Sequence, residues 1–200
     1  MVARRSELET ALRRYISSFS VDRNSLGELL KNESVDKRFE LLVSLKGMTE
    51  VFNTWTVLHR GTIADDLETI MYMLSDFSPN QIYDLVKIQK SDKWTALHIA
   101  AANGHTAIMN FLLSDLSQRQ RYDLLKLQTP NGDTTLHKAA INKEAETVRA
   151  IIHSVSSPLL IHLFPIRNKD GKTVTDIMPK LHDELPVLIS QGIASIYSVN

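Results

Sequence analysis

A chain of 200 residues with 43% hydrophobic content is long enough to bury a core of ordinary domain size without covalent staples. Lys plus Arg and Asp plus Glu number 23 each, which leaves no net field to draw a polyanion. Cysteine is absent, which removes disulfides, thiolate nucleophiles and every Cys-ligated metal site, and no apolar stretch approaches the roughly 18 residues that span a bilayer.

Residues 1–48 read as a helical N-terminal cap. Leu8, Leu12, Tyr15, Ile16 and Phe19 form one stripe at helical spacing, Leu26, Leu29 and Leu30 a second, and Phe39, Leu41, Leu42 and Leu45 a third. Arg4-Arg5 and Arg13-Arg14 give the first stripe a basic flank that raises the question of a mitochondrial presequence. Glu7 and Glu9 argue against it, since such leaders are poor in acids. Phe39-Glu40-Leu41-Leu42 resembles a later segment, Tyr83-Asp84-Leu85-Val86. A divergent copy of the later units and a separate small fold both stay open for this region.

From residue 49 the chain repeats. Thr-x-Leu-His occurs at Thr56–His59, Thr95–His98 and Thr134–His137, and the histidines stand 39 residues apart (98 − 59 and 137 − 98). A fourth step reaches Thr173 and Asp176, where the threonine stays in register and Leu and His are lost. Each histidine in the second and third units precedes a small, alanine-rich segment, Ile99–Asn103 and Lys138–Asn142, suited to a helix packed closely on both sides. An apolar stripe follows in every unit: Ile70, Met73 and Leu74, then Met109, Leu112 and Leu113, then Val148, Ile151 and Ile152. A third element, Tyr83–Gln89, aligned with Tyr122–Gln128 and Ile161–Arg167, predicts a short extra helix per unit. Ser78-Pro79 opens the first like an N-cap with proline in the first turn.

Thr-x-Leu-His-x-Ala-Ala-x-x-Gly-His before an apolar helix resembles the ankyrin repeat, whose signature T-P-L-H-x-A recurs at about 33 residues. The resemblance covers roughly residues 49 to 180 and implies an all-α, ankyrin-type repeat solenoid. The six or so extra residues per unit form the added short helix. On this reading 49–200 is the array, and its fourth unit, broken by Pro179 and Pro186, is a degenerate closing repeat that shields the end of the stack. Two departures stand out. Val57, Ala96 and Thr135 replace the signature proline. Gly104 fills the left-handed position between helices only in the second unit, where the others have Asp65 and Lys143. A residue with a Cβ costs about 1 kcal/mol there, so units one and three are expected to turn differently or to be less stable.

The histidines are the first candidates for chemistry. Successive repeats stack at about 8–10 Å, whereas ligands of one zinc ion lie about 2 Å from it, so neighbouring units cannot share a metal through His59, His98 and His137. The resemblance implies that threonine and histidine together bind the turn and tie one unit to the next. His105, His153, His162 and His182 share no motif. No Gly-x-Ser-x-Gly, phosphate-binding glycine loop or His-Glu-x-x-His occurs. Asp65-Asp66 and Asp183-Glu184 are adjacent acids that do not face each other on a helix. The chain is expected not to be an enzyme, and no cofactor or metal is implied.

Trp55 and Trp94, the only tryptophans, precede Thr in successive units, with Asp133 and Lys172 at the same position in the third and fourth. The resemblance implies that this position lies by the hairpin and the concave face, where a partner binds. Tryptophan is a frequent hot-spot residue, yet adjacent tryptophans can also simply cover the hairpins, and both readings stand. Further partner-facing positions implied residue by residue are Phe52, Asn53, Ser91, Asp92, Pro130, Asn131 and Lys169 from the hairpins. The ends of the inner helices add Ile63, Ala102, Asn103, Ile141 and Asn142.

The function implied is a protein–protein interaction module, an adaptor, scaffold or inhibitor, that binds another protein on its concave face. It is expected to be monomeric and cytoplasmic, with no nucleic-acid or membrane partner. The alternative is a recognition or regulatory fragment of a larger enzyme or effector whose catalytic part lies outside these residues.

Overall fold

Thirteen α-helices and no strand make up the described residues, 2–17, 23–44 and 56–181, of the computed structural model. They fall into two compact units, Met1–Ser91 and Asp92–Asn200. Phe19, Leu45, Phe52, Asn53, Trp55, His182, Asp183, Glu184 and Pro186 lie outside the described residues.

In the first unit, α1 (Val2–Ser17), α2 (Arg23–Lys31) and α3 (Val35–Ser44) precede α4 (Val57–Ile63), α5 (Leu67–Leu74) and α6 (Pro79–Val86). They pair in order: α1 packs on α4, α2 on α5 and α3 on α6. The predicted stripes supply the packing faces, with Leu8, Leu12 and Tyr15 of α1, Leu26 and Leu30 of α2, and Leu41 and Leu42 of α3 buried. Polar ties fix the register. Tyr15 Oη donates to Asp66 Oδ2 at 3.0 Å, and Asp66 caps α5 by accepting the Thr69 N–H at 3.2 Å, which places a carboxylate at the positive end of that helix. Arg38, 3% exposed, spans from α3 to the other end of α5. Its Nη1 donates to Ser75 Oγ at 2.7 Å and to the Tyr72 carbonyl, and its Nη2 donates to the Ser75 carbonyl at 2.7 Å.

In the second unit, α7 (Ala96–Asn103), α8 (Thr106–Leu113) and α9 (Gln118–Leu125) are followed by α10 (Thr135–Ile141), α11 (Ala145–Ser154) and α12 (Ser157–Leu163), then by the short α13 (Val174–Ile177). The same order of pairing appears: α7 on α10 and α10 on α13, α8 on α11, and α9 on α12. Small residues let the inner helices approach closely. Ala100, Ala101 and Ala139 are fully buried and Ala140 nearly so, while Met109, Leu112, Val148 and Ile151 close the outer layer. Arg121, the fourth residue of α9 as Arg38 is of α3, donates to the Ser154 carbonyl at 2.8 Å and to the Ser114 carbonyl at 2.7 Å. The guanidinium thus holds the C-terminal ends of α8 and α11, where the helix dipole favours a cation.

Two details differ from the sequence reading. The extra helices end earlier than the aligned segments, at Val86, Leu125 and Leu163, and the second and third also begin earlier, at Gln118 and Ser157, whereas the first opens at Ser78-Pro79 as expected. Ser78 and Ser117 each accept the N–H of the third helical residue while Gln81 and Gln120 bond back to the cap, so the capping boxes set the start and Ile88 and Gln89 pass into the loop. The turns after the inner helices also agree across units. Asp65, Gly104 and Lys143 are all left-handed, with φ of 52°, 72° and 63°. The backbone bonds explain it: Asp66, His105 and Glu144 each donate an N–H at 2.9 Å to a carbonyl of the preceding helix, Gly61, Ala100 and Ala139. That bond, with the buried helix behind it, holds the turn against its conformational cost.

Candidate protein-binding surface

The repeated threonine and histidine form one local device. Thr56, Thr95 and Thr134 cap their helices by accepting the N–H of His59, His98 and His137, and the threonine N–H donates back to histidine Nδ1 at 3.2–3.3 Å. The threonine Oγ1 lies a further 2.7–2.8 Å from the same ring nitrogen. With Nδ1 accepting, the proton of the neutral ring sits on Nε2. His98 Nε2 therefore donates to the Leu127 carbonyl at 3.0 Å, at the end of its own unit where the chain enters the next hairpin, and His137 Nε2 to the Lys172 carbonyl at 3.1 Å in the hairpin of the fourth unit. Burial pushes the His98 imidazole down to about 4 and lowers His137 as well, so both stay uncharged at neutral pH. At Thr173 the box survives with Asp176 in place of histidine, its Oδ2 accepting the Thr173 N–H at 2.8 Å. Among the described residues no group of three His, Cys, Asp or Glu side chains could hold a metal ion.

These ties present the hairpins. Thr129 N–H donates to the Asp133 carbonyl and Asn168 N–H to the Lys172 carbonyl, each at 2.9 Å, closing two tight turns. Lys169 N–H donates to the Asn131 carbonyl at 2.9 Å and links them. Gly132, with φ of 75°, is required at that contact, because a Cβ there would stand 2.8 Å from Lys169 N.

A polar chain runs behind the turns. Lys138 Nζ pairs with Asp133 Oδ2 at 2.9 Å and stands 4.6 Å from the centroid of the Trp94 ring. Asn168 Nδ2 donates to Asp133 Oδ1 at 2.9 Å. Lys138 and Asp133 are 8% and 3% exposed, so the pair is desolvated and each charge depends on the other.

The predicted partner-facing positions consequently divide. Asp133 is withdrawn from the surface, both carboxylate oxygens engaged, because the next inner helix brings a lysine to it. Trp94 is half-buried, its ring against Lys138 and 6.3 Å from the His98 ring. Ser91, Asp92, Pro130, Asn131, Lys169 and Lys172 are exposed at the hairpins, and Asn103 and Asn142 at the ends of α7 and α10. Asn103 and Asn142 donate Nδ2 to the carbonyls of Ile99 and Lys138. Ile63 is 37% and Ile141 44% exposed, and Ala102 is half-buried. Trp55, Phe52 and Asn53 fall outside the described residues. The sequence reading missed Lys138 and Asn168. A lysine at the repeat position of Ile99, five residues after an acid, was the available signal.

Residues 23–123 and 78–158 match the family model described as ankyrin repeats (3 copies). No curated protein matches the chain.

Proposed function

The chain belongs to the ankyrin-repeat family, and on that premise we propose that it is a non-catalytic adaptor, scaffold or inhibitor that binds another protein through its hairpins and inner-helix ends. Ankyrin repeats are generally protein–protein interaction modules, typically without catalytic activity. The observation that carries the finer reading is the mounting of Trp94. One side of the indole rests on Lys138, whose charge pairs with the buried Asp133, while the residue stays half-buried, its main-chain N–H donating to the exposed Asp92. An aromatic group held in this way loses little entropy when a partner covers it, which is the property that makes an anchor. The exposed Asn131, Lys169 and Lys172 offer polar groups on the later hairpins. Among the described residues no helix is long and apolar enough to cross a membrane. With the neutral charge balance and the lack of cysteine, the reading is of a monomer in a reducing compartment, the cytoplasm, with a protein rather than a nucleic acid as partner.

The test is affinity capture from cell lysate with the intact chain, Trp94→Ala, Trp94→Phe and Lys172→Glu, each checked for helical circular dichroism. Proteins retained by the parent and by Trp94→Phe, and lost from Trp94→Ala, support the anchor. A Trp94→Ala chain that is fully helical and retains the same proteins in the same amounts removes it.

A further inference from the structure

The chain contains two Asn-Gly pairs, Asn103-Gly104 and Asn131-Gly132. In such a pair the glycine nitrogen reaches the asparagine side chain with no Cβ in its way, and asparagine is among the thermally labile residues. Both asparagines are exposed, so access to water does not separate them. Anchoring does. Asn103 is the last residue of α7, its Nδ2 donates to the Ile99 carbonyl at 2.9 Å, and the Gly104 N–H donates to the Ala100 carbonyl. Attack there must break both bonds and unwind the end of the buried helix that carries His98. Asn131 stands in a tight turn. The Gly132 N–H donates to the Thr129 carbonyl at 2.9 Å, but the Asn131 side-chain amide makes no hydrogen bond among the described residues.

We propose that Asn131 is a site of spontaneous deamidation in the folded protein and that Asn103 is protected from it. The Gly132 nitrogen bonds to Asn131 Cγ, and its proton leaves with the side-chain nitrogen as ammonia, giving a cyclic imide. Water opens that imide. Addition at Cγ yields aspartate with the chain unchanged. Addition at the main-chain carbonyl carbon yields isoaspartate, in which the chain runs through Cβ and Cγ and is one carbon longer.

The second product acts on the contact described above. The carbonyl oxygen that receives the Lys169 N–H becomes part of a free carboxylate, and the added carbon lengthens the chain just before Gly132, in a turn packed so closely that a Cβ on Gly132 would stand 2.8 Å from Lys169 N. Conversion therefore loosens the link between the 129–133 and 168–172 turns and places a negative charge beside Lys169. The modification does not depend on the proposed function, although it falls on the surface that reading assigns to the partner.

The full-length chain is incubated at neutral pH and body temperature, with a parallel sample in concentrated urea. Peptide mapping by mass spectrometry and methyl transfer by an isoaspartyl methyltransferase locate the product. In the folded sample the expected result is isoaspartate at 131 accumulating several-fold faster than at 103, and in urea comparable rates at both. Asn131→Ser should abolish the folded-state signal. Equal rates at the two sites in the folded chain, or product at 131 only in urea, would overturn the proposal.

Discussion

Protonation of His98 is the sharpest perturbation available, because it charges a ring that is fully buried and already committed at both nitrogens. The ring's Nδ1 accepts from the Thr95 N–H, so a second proton in the native state must break that half of the capping box of α7. In the unfolded chain the imidazole takes a proton near its ordinary 6.5, whereas burial depresses it to about 4 in the folded chain, with Lys138 acting in the same direction and the Leu127 and Asp133 groups opposing. The unfolded state therefore binds more protons between these values, and stability falls as pH falls. The contribution is complete above about 6.5, declines through the window and levels off below about 4. About two and a half pH units at about 1.4 kcal/mol each give a loss of about 3 kcal/mol, and His137, lowered for the same reason, adds to it in the same direction. Urea unfolding followed by circular dichroism across this range, for the parent and His98→Gln, measures the slope. Proton NMR of the imidazole reads the titration directly. A ring that titrates near 6.5 in the folded chain, or a His98→Gln variant with the parent's full pH dependence, would refute the account.

Lys143→Gly should raise stability by about 0.5–1 kcal/mol, since the left-handed turn then loses its Cβ penalty; the urea midpoint reports it. Gly132→Ala should cost about 1–3 kcal/mol from its positive φ and the contact with Lys169, and thermal unfolding would show a clear drop. Asp133→Ala strands the Lys138 charge and should cost about 3–5 kcal/mol, largely restored by adding Lys138→Met, because the methionine keeps the stem and removes the charge. A double variant no more stable than Asp133→Ala alone would show that the pair is not what holds the turns. Arg121→Ala, which frees the Ser114 and Ser154 carbonyls, should cost about 1–3 kcal/mol in the same urea assay.

The sequence made the repeat legible because its spacing records a bond. Thr56, Thr95, Thr134 and Thr173 keep one register, and each is a helix cap in the structure. The apolar stripes were readable for the same reason, since one face of every outer helix is buried. Interactions with no period were hidden. Asp133 occupies the tryptophan position and so reads as surface, yet it is buried, because a lysine on the next helix and an asparagine on the next turn converge on it. Lys143 and Asp65 read as misfits at a glycine position, yet a main-chain bond that no side chain announces holds their turns. The N-terminal helices lack the Thr-x-Leu-His motif, but they pair with the next three in the same order as the later units, which depends on faces more than on residue identities.

Arg38 and Arg121 occupy the same place on the third helix of their units, and each reaches forward to the end of an outer helix later in the chain. Where the third helix carries this arginine, the residues that lengthen the period are a coupling rather than a spacer, whereas α6 and α12 have Ile82 and Leu160 at the same place. Duplicating the segment that holds Arg121 would hand the new copy a grip on its successor, which a shorter unit spliced in without the third helix would lack.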